Sequence, residues 1–486
     1  MRRWRWWDAS LIALAVAIGL YLFAPTEADP DLWGHVRFGL DLLDTGRIVR
    51  PDIYSYLTAG SPWINHEWLS EAIMAIAFRG AGSPGLILVK LALGLGLAAL
   101  LVIHLHRAAA AAGPRLSLLA SLLITAYGVA VILPGFRSLR PQAFTYFAFL
   151  IILLLLYGAD RGQQRRLWWS APLFAAWANL HGGFVAGLGV LWLWAILRQR
   201  GLLPAIAATA ATLVTPYGIG LWTFLARTLG PRPDIAEWQA VPLFSAEGVA
   251  YLAVVGFGAI AVPALYRSRQ WPALILFVGG ALLPFVARRH LPLFVLITIV
   301  MCAEHTAARW PKTDGSRFPP VISAAMLVQA IVLLALTLPQ FARIRVDPAA
   351  FPIAATARLA GSQVAANVAV DFDWGEYVIW HAGPRLKVSV DGRRETVYSD
   401  AAYEQNRRFT AGSEGWDQLL DQQPTDLALV SVRTGAFDRL TQHAGWELLM
   451  HDEISALFGR TGAPVTRAIR GTPPPTLDPR RAAVFP

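Results

Sequence analysis

The stretch ADPDLWGHVRFGLDLLDTG, Ala28 to Gly46, follows the first long apolar run and places two acids, a tryptophan and a histidine within DPDLWGH. Leu32, Val36, Leu40 and Leu43 recur at helical spacing, which predicts an amphipathic helix from Asp31 to Asp44 lying along a membrane surface. On that helix Asp31 and His35 are four residues apart and share a face. A carboxylate there has two chemical uses: it takes the proton of an acceptor hydroxyl as a general base, or it holds a divalent cation. Asp29 has a competing task, because an acid followed by Pro30 is the pattern of an N-cap and a first helical residue. Asp31 is therefore the first candidate for chemistry and Asp29 the second. The structural alternative is a self-capped interfacial helix anchored by Trp33.

WINHEWLSE, Trp63 to Glu71, puts His66 and Glu67 at the start of an apolar helix, with Glu71 one turn later. Acids favour helix N-termini, so capping explains them in part. The functional alternative is substrate binding by His35, His66 and Glu67, or a magnesium or manganese ion bridging Asp31, His66 and Glu67. The spacing matches no recognised metal signature. The arginines of FRSLRP (Phe136 to Pro141) and ARRH (Ala287 to His290) suit phosphate, since guanidinium pairs bidentately with phosphate oxygens. Arg140, Arg288, Arg289 and His290 are the candidates, with snorkelling toward headgroups as the alternative. His181, in NLHGG, lies between two short apolar runs where Gly182 and Gly183 permit close backbone approach. A polar turn at membrane depth lines a cavity or is buried in protein. DGRRE, Asp391 to Glu395, follows a strand end, where loops carry ligands, but Asp-Gly is also an ordinary turn. The sequence holds no Walker A loop, no GxSxG and no zinc spacing.

These residues need a scaffold, and composition says which. The chain has 486 residues, 55% of them hydrophobic and only 15% charged, too little charge for a soluble globular protein. About eleven apolar runs between Ser10 and Leu338 read as membrane spans. With Arg2, Arg3 and Arg5 in the cytoplasm, alternation places Arg107 and Arg115, Arg161, Arg165 and Arg166, Arg198 and Arg200, Arg267 and Arg269, and Arg309, Lys312 and Arg317 on that same side. The net charge of +10 thus reports orientation rather than nucleic-acid binding. The candidate site residues all fall on the opposite face. The N-terminal run also fits a signal peptide cleaved near Ala28, but the polar loop and later spans favour an uncleaved first span. Trp68 to Phe78 is too short to cross and reads as re-entrant or interfacial. The single cysteine, Cys302, lies in an apolar run, so no intrachain disulfide supports the fold.

After Leu338 the composition turns polar. Strand-like runs at Val368–Val370, Leu386–Val390 and Leu427–Val432 alternate with helical segments, which predicts a small α/β domain. The expected layout is a transmembrane domain over 1–340 with a first outer loop at 26–66, an outer α/β domain over 341–465, and a Pro-rich disordered tail over 466–486.

DPDLWGHVRFG, DIYSY, WINHEWLSE, LRPQAF, ANLHGGF, TPYG, ARRHLPLF, DWGEYVIW and VDGRRE together resemble a group of bacterial membrane proteins related to the GT-C superfamily of polytopic glycosyltransferases. The resemblance implies a GT-C-like α-helical membrane protein with a small C-terminal α/β domain. It implies transfer of a sugar from a polyprenyl-phosphate donor to a glycan, lipid or protein acceptor at the periplasmic face of the inner membrane. No nucleotide sugar or nucleic acid is involved. The acid of the first outer loop is the superfamily's proposed base or metal ligand, a role that falls here on Asp31, then Asp29. The phosphate-binding role falls on Arg140 or an ARRH arginine. Members often place adjacent acids in that loop, whereas here Pro30 separates them. The alternative function is a non-catalytic membrane protein for lipid or polysaccharide transport, or for envelope assembly.

Overall fold

The structure is a computed structural model that describes residues 6–111, 118–228, 235–307, 319–473, 478 and 482–486. Arg2, Arg3, Arg5, Arg115, Arg309, Lys312 and Arg317 of the charge pattern lie outside those residues. The chain forms two compact units: Met1–Thr26 with Ile87–Ala342, and Glu27–Leu86 with Arg343–Pro486.

The first unit is helical. Among the described residues five helices are long and apolar enough to cross a membrane: Ser83–Ala108, Leu118–Phe136, Gln142–Asp160, Ala246–Arg267 and Pro320–Phe341. Asp8–Phe23, Phe184–Arg198, Leu202–Ala211 and Trp271–Val286 are apolar but shorter. The expected count of about eleven spans is not confirmed, because several of the apolar runs form helices shorter than these five. The centre of the unit is Leu291–Ala307, buried without interruption from Leu291 to Ala303. It packs on Trp271–Val286, Gln142–Asp160, Ala246–Ala259 and Leu118–Ile132. A helix apolar all round is a core helix, and this one is. Pro320–Thr337 does the opposite. It exposes Val321 at 78% and Ile331 at 66%, and buries only Ala330 and Thr337. So much exposed apolar surface on one helix is stable in hydrocarbon, not in water.

The second unit joins the first outer loop to the C-terminal α/β domain. Its five-stranded sheet runs in the order β2-β1-β3-β5-β4, from β1 (Ala366–Val370), β2 (Leu386–Val388), β3 (Leu427–Ser431), β4 (Trp446–His451) and β5 (Ser455–Arg460). β2, β1 and β3 are parallel; β5 is antiparallel to both β3 and β4, with Ala428 opposite Phe458. The helices Gly375–Ala382 and Asp400–Ala411 fall where the sequence places them. The β4–β5 hairpin is additional. The DIYSY segment of the outer loop extends the sheet beyond β2: Tyr56 N donates to Val388 O at 3.0 Å, and Val388 N to Tyr54 O at 3.0 Å. This covers what would be an open sheet edge.

The helix Pro30–Thr45 starts as the sequence requires. Asp29 is extended (φ −90°, ψ 172°), its Oδ1 accepts from Leu32 N at 3.0 Å, and Pro30 follows at the first position. Gly46 ends the helix in the left-handed region at φ 64°, where glycine carries no steric penalty. The alternative reading of Trp33 as an interfacial anchor is corrected. Trp33 is 2% exposed, ringed by Phe351, Tyr377, Trp380 and Phe485. The apolar stripe packs on Gly375–Ala382 and on Trp68–Ala81, the segment expected to be re-entrant or interfacial. Gly39 permits the second contact, since a Cβ there would lie 2.2 Å from Glu71 O. Described residues of the expected tail take defined places. Pro464–Gly471 is helical, Phe485 N donates to Ile344 O at 3.0 Å, and the Phe485 ring is 2% exposed. Its aromatic partners explain why the Pro-rich composition did not decide its state.

We expect Trp33→Ala to lower stability by about 3–5 kcal/mol, the range for an emptied aromatic core site. Thermal unfolding of the purified protein in detergent measures it. An interfacial anchor would lose far less.

Candidate functional site

The acidic cluster of the second unit is built around a buried cation. Asp391 and Arg393, in the loop that follows β2, form a bidentate pair: Arg393 Nε donates to Asp391 Oδ1 at 2.9 Å and Nη2 to Oδ2 at 2.6 Å. Arg393 Nη1 also donates to Asp52 Oδ1 at 2.9 Å. Asp52 belongs to the first outer loop, where its carboxylate accepts from Tyr54 N and from the Thr58 hydroxyl at 2.6 Å. Tyr398 donates its hydroxyl to Asp391 Oδ2 at 2.8 Å. The guanidinium lies 4.7 to 5.2 Å from the ring centres of Trp63, Tyr54 and Phe38. Burial alone would lower the Arg393 pKa, but Asp391 and Asp52 hold it well above its ordinary value. Burial, then the Asp391 charge, pushes the Tyr398 phenol well up.

Against this frame stands the helix that carries Asp31. Gly34 N donates to Glu376 Oε2 at 3.0 Å, tying its first turn to the helix Gly375–Ala382. His35 Nδ1 meets Glu71 Oε1 at 3.3 Å, and Glu71 Oε2 accepts a short bond of 2.5 Å from Asn65 Nδ2. Burial would lower the His35 pKa. The hydrogen bond to Glu71 and the charges of Glu67, Glu71 and Asp31 outweigh that and raise it to about 9. His35 is therefore an imidazolium at neutral pH, donating from Nδ1 to Glu71. His66 Nε2 and Glu67 Oε1 lie 3.7 Å apart. Burial raises the Glu67 pKa.

The sequence candidates thus divide between the units. Asp31, His35, Glu67 and His66 share the second, with Asp29 spent as the helix cap. Arg140, His181, Arg288, Arg289 and His290 belong to the first. There Arg140 Nη1 pairs with Glu237 Oε1 at 3.2 Å, and Arg288 Nη1 with Glu247 Oε2 at 3.7 Å. Arg289 lies 4.4 Å from the Trp238 ring centre. Arg288 N donates to Gln239 O at 2.8 Å, so the ARRH turn is tied by backbone to the residue that follows Trp238. His290 Nδ1 lies 3.3 Å from Leu283 O. His181 is in a separate network. Its Nδ1 accepts from Gly183 N at 2.9 Å and from the Thr145 hydroxyl at 2.8 Å, while Trp177 Nε1 donates to Thr145 Oγ1. Two donors on Nδ1 leave the ring proton on Nε2.

Sequence reasoning left out Glu376 and treated DGRRE as a turn. The available signal was the glycine beside each acid, in WGEY and VDGR, which brings a backbone close to a carboxyl. Among the described residues no group of three or more His, Cys, Asp or Glu side chains is arranged to hold a metal ion. The donors are committed in pairs, His35 with Glu71 and His66 with Glu67. The donor set does not fit the expected magnesium or manganese ion, and no step is routed through one.

Five long apolar helices in one unit and an α/β sheet in the other define a class: a polytopic α-helical membrane protein with a small α/β domain. No family model and no curated protein matches the chain. Solved structures do. The apo oligosaccharyltransferase of Archaeoglobus fulgidus aligns with TM-score 0.58 and 10% identity, over 88% of this chain and 70% of that one. Apo ArnT of Cupriavidus metallidurans aligns with TM-score 0.50 and 12% identity, over 96% and 99%. The likeness is one of fold, as the sequence motifs implied.

Two outcomes follow. Arg393→Met leaves Asp52 and Asp391 buried without their cation and should cost about 3–5 kcal/mol, whereas Arg407→Met, which breaks an exposed pair with Glu404, should cost under about 1 kcal/mol. Thermal unfolding compares them. The raised His35 pKa means its stabilisation is complete below pH 6.5 and lost as pH rises through about 9. The unfolding midpoint should fall across that window, and His35→Gln should flatten the fall.

Proposed function

We propose that this chain is a membrane glycosyltransferase that moves a sugar from a polyprenyl-phosphate donor to an acceptor hydroxyl at the outer face of the bacterial inner membrane. Asp31 acts as general base. The acceptor hydroxyl loses its proton to Asp31 and its oxygen attacks the anomeric carbon. The bond from that carbon to the phosphate oxygen breaks, and polyprenyl phosphate leaves with the electron pair. Cationic side chains of the first unit, Arg140, Arg288 and Arg289, are the candidates for meeting the phosphate. His181 and His290, with His35, His66 and Glu67 of the second unit, are candidates for contacting substrate.

One observation carries the reading. Asp31 stands in the first turn of a helix whose cap, backbone and neighbouring His35 are each fixed by a named polar contact, in a chain with the GT-C fold. A base held so firmly is preorganised for proton transfer rather than for loose solvent contact. The lipid carrier keeps the reacting carbon at the membrane surface, so an outer-loop base suits that donor and needs no nucleotide sugar.

The test is turnover of polyprenyl-phosphate-linked sugars by the full-length protein in nanodiscs, with and without magnesium or manganese. We expect Asp31→Asn to reduce turnover by about 10²–10⁴-fold while thermal stability stays near that of the parent. Full activity in Asp31→Asn removes its role. No consumption of any lipid-linked sugar by the parent protein favours a non-catalytic transport or assembly role instead.

A further inference from the structure

β1 and β3 lie side by side, with β2 on the far side of β1. The chain therefore leaves β1 toward β2 and crosses back to β3, which makes the ends of β1 and β3 a switch point. Open α/β sheets bind ligands just outside the carboxyl ends of strands at such points. Asp371 follows β1 directly, and its Oδ2 accepts from the N–H of Ser431, the last residue of β3, at 3.1 Å. Asn406 and Thr410, one turn apart on one face of the helix Asp400–Ala411, reach the same strand end. Asn406, 3% exposed, donates from Nδ2 to the carbonyl of Val370, the last residue of β1, at 3.1 Å. The Thr410 hydroxyl is near enough to the Asp371 carboxyl to act on it, yet it closes no hydrogen bond there. A Cβ on Gly412, which ends this helix, would lie 2.6 Å from Gly435 C, so the helix end is held against the segment that follows β3.

Three oxygens here are shut away from solvent and bonded to nothing among the described residues: Asp371 Oδ1, Asn406 Oδ1 and Thr410 Oγ1. The carboxylate and the amide oxygen can only accept. Among the described residues no cationic side chain answers them. The charge that acts on Asp371 is that of Asp373, of the same sign, and Arg407 and Arg408 of the covering helix pair with Glu404. Buried charges in proteins are paired or coordinate metals. Carboxylate and carbonyl oxygens suit calcium, magnesium and manganese.

We propose that Asp371 Oδ1, Asn406 Oδ1 and Thr410 Oγ1 bind a calcium ion at the β1–β3 switch point, with water completing its shell. Calcium accepts irregular sets of oxygen ligands, amide carbonyls included, whereas magnesium demands near-octahedral geometry and sheds its water reluctantly. One carboxylate, one amide and one hydroxyl form a set of a different kind from the clusters of acids, histidines and cysteines considered above. The site stands apart from the transferase reading and uses none of the outer-loop acids. The ion bolts the helix Asp400–Ala411 to the end of β1. It steadies the turn Phe372–Trp374, from which the helix that holds Gly34 N–H through Glu376 begins.

The experiment uses the full-length protein, stripped with EDTA, in phosphatidylcholine nanodiscs at neutral pH. Calcium chloride at about a hundredfold excess over its dissociation constant should raise the unfolding midpoint by about 5–10 °C, and magnesium chloride by less. Equilibrium binding of radioactive calcium should show the affinity lowered at least about tenfold in Asp371→Asn and in Asn406→Leu, and unchanged in Asp31→Asn. Thr410→Val, which keeps the side-chain shape, repeats the test should either of the first two fail to fold. No calcium bound by the parent, or binding undiminished in a folded Asp371→Asn or Asn406→Leu, overturns the site and leaves water as the partner of the three oxygens. Binding lost in Asp31→Asn alone moves the ion to the outer-loop acids and equally overturns it. A midpoint raised by magnesium and not by calcium overturns the choice of ion.

Discussion

A guanidinium shut away from water at Arg393 is tolerable only because carboxylates close on it from two directions. Asp391 comes from its own loop and Asp52 from the first outer loop, more than three hundred residues earlier (|i−j| 341). That one demand shapes much of the second unit. Asp52 folds its loop around itself through Tyr54 N and the Thr58 hydroxyl, which leaves Tyr54 and Tyr56 placed to pair with Val388. The rings around the guanidinium come from Tyr54, Trp63 and Phe38, and Phe38 lies on the helix that carries Asp31. Charge satisfaction, sheet extension and helix placement are thus one arrangement.

That helix is then fixed twice more by polar contacts one residue apart. Gly34 N–H is bonded to Glu376, and His35 is bonded to Glu71, itself held by Asn65. Both clamps join the first outer loop to a helix start: Gly375–Ala382 in one case, Trp68–Ala81 in the other. The apolar stripe between them, with Trp33 at its centre, supplies most of the burial. Packing sets the depth of the helix, and the two polar contacts set its rotation, so the direction Asp31 faces is determined by groups other than Asp31.

Local signals in the sequence were reliable where local physics decides. Asp29 with Pro30 marks a cap and a first turn, and stands as read. The strand-and-helix alternation after Leu338 was legible because apolar runs and turn residues alternate cleanly there. Two misreadings share a cause. Trp33 looked like an interfacial anchor because its partners, Phe351, Tyr377, Trp380 and Phe485, are remote in sequence. Glu376 was passed over because the backbone that receives it is Gly34, 342 residues away. Span counting stands differently: hydropathy registers an apolar run such as Phe184–Arg198 or Trp271–Val286 but not the length of its helix, so the count of about eleven is not confirmed.

The split of the second unit between two distant chain segments has a consequence for biosynthesis. A ribosome delivers the Asp31 segment long before the segment carrying Glu376, and all of the intervening apolar helices must be threaded into the bilayer between the two events. Until then the early segment holds Asp52, the Gly34 N–H and the DIYSY edge without their later partners, Arg393, Glu376 and Val388. The clamp between Gly34 and Glu376 cannot form on a nascent or truncated chain, so the helix carrying Asp31 acquires its final setting only when the C-terminal segment has been made.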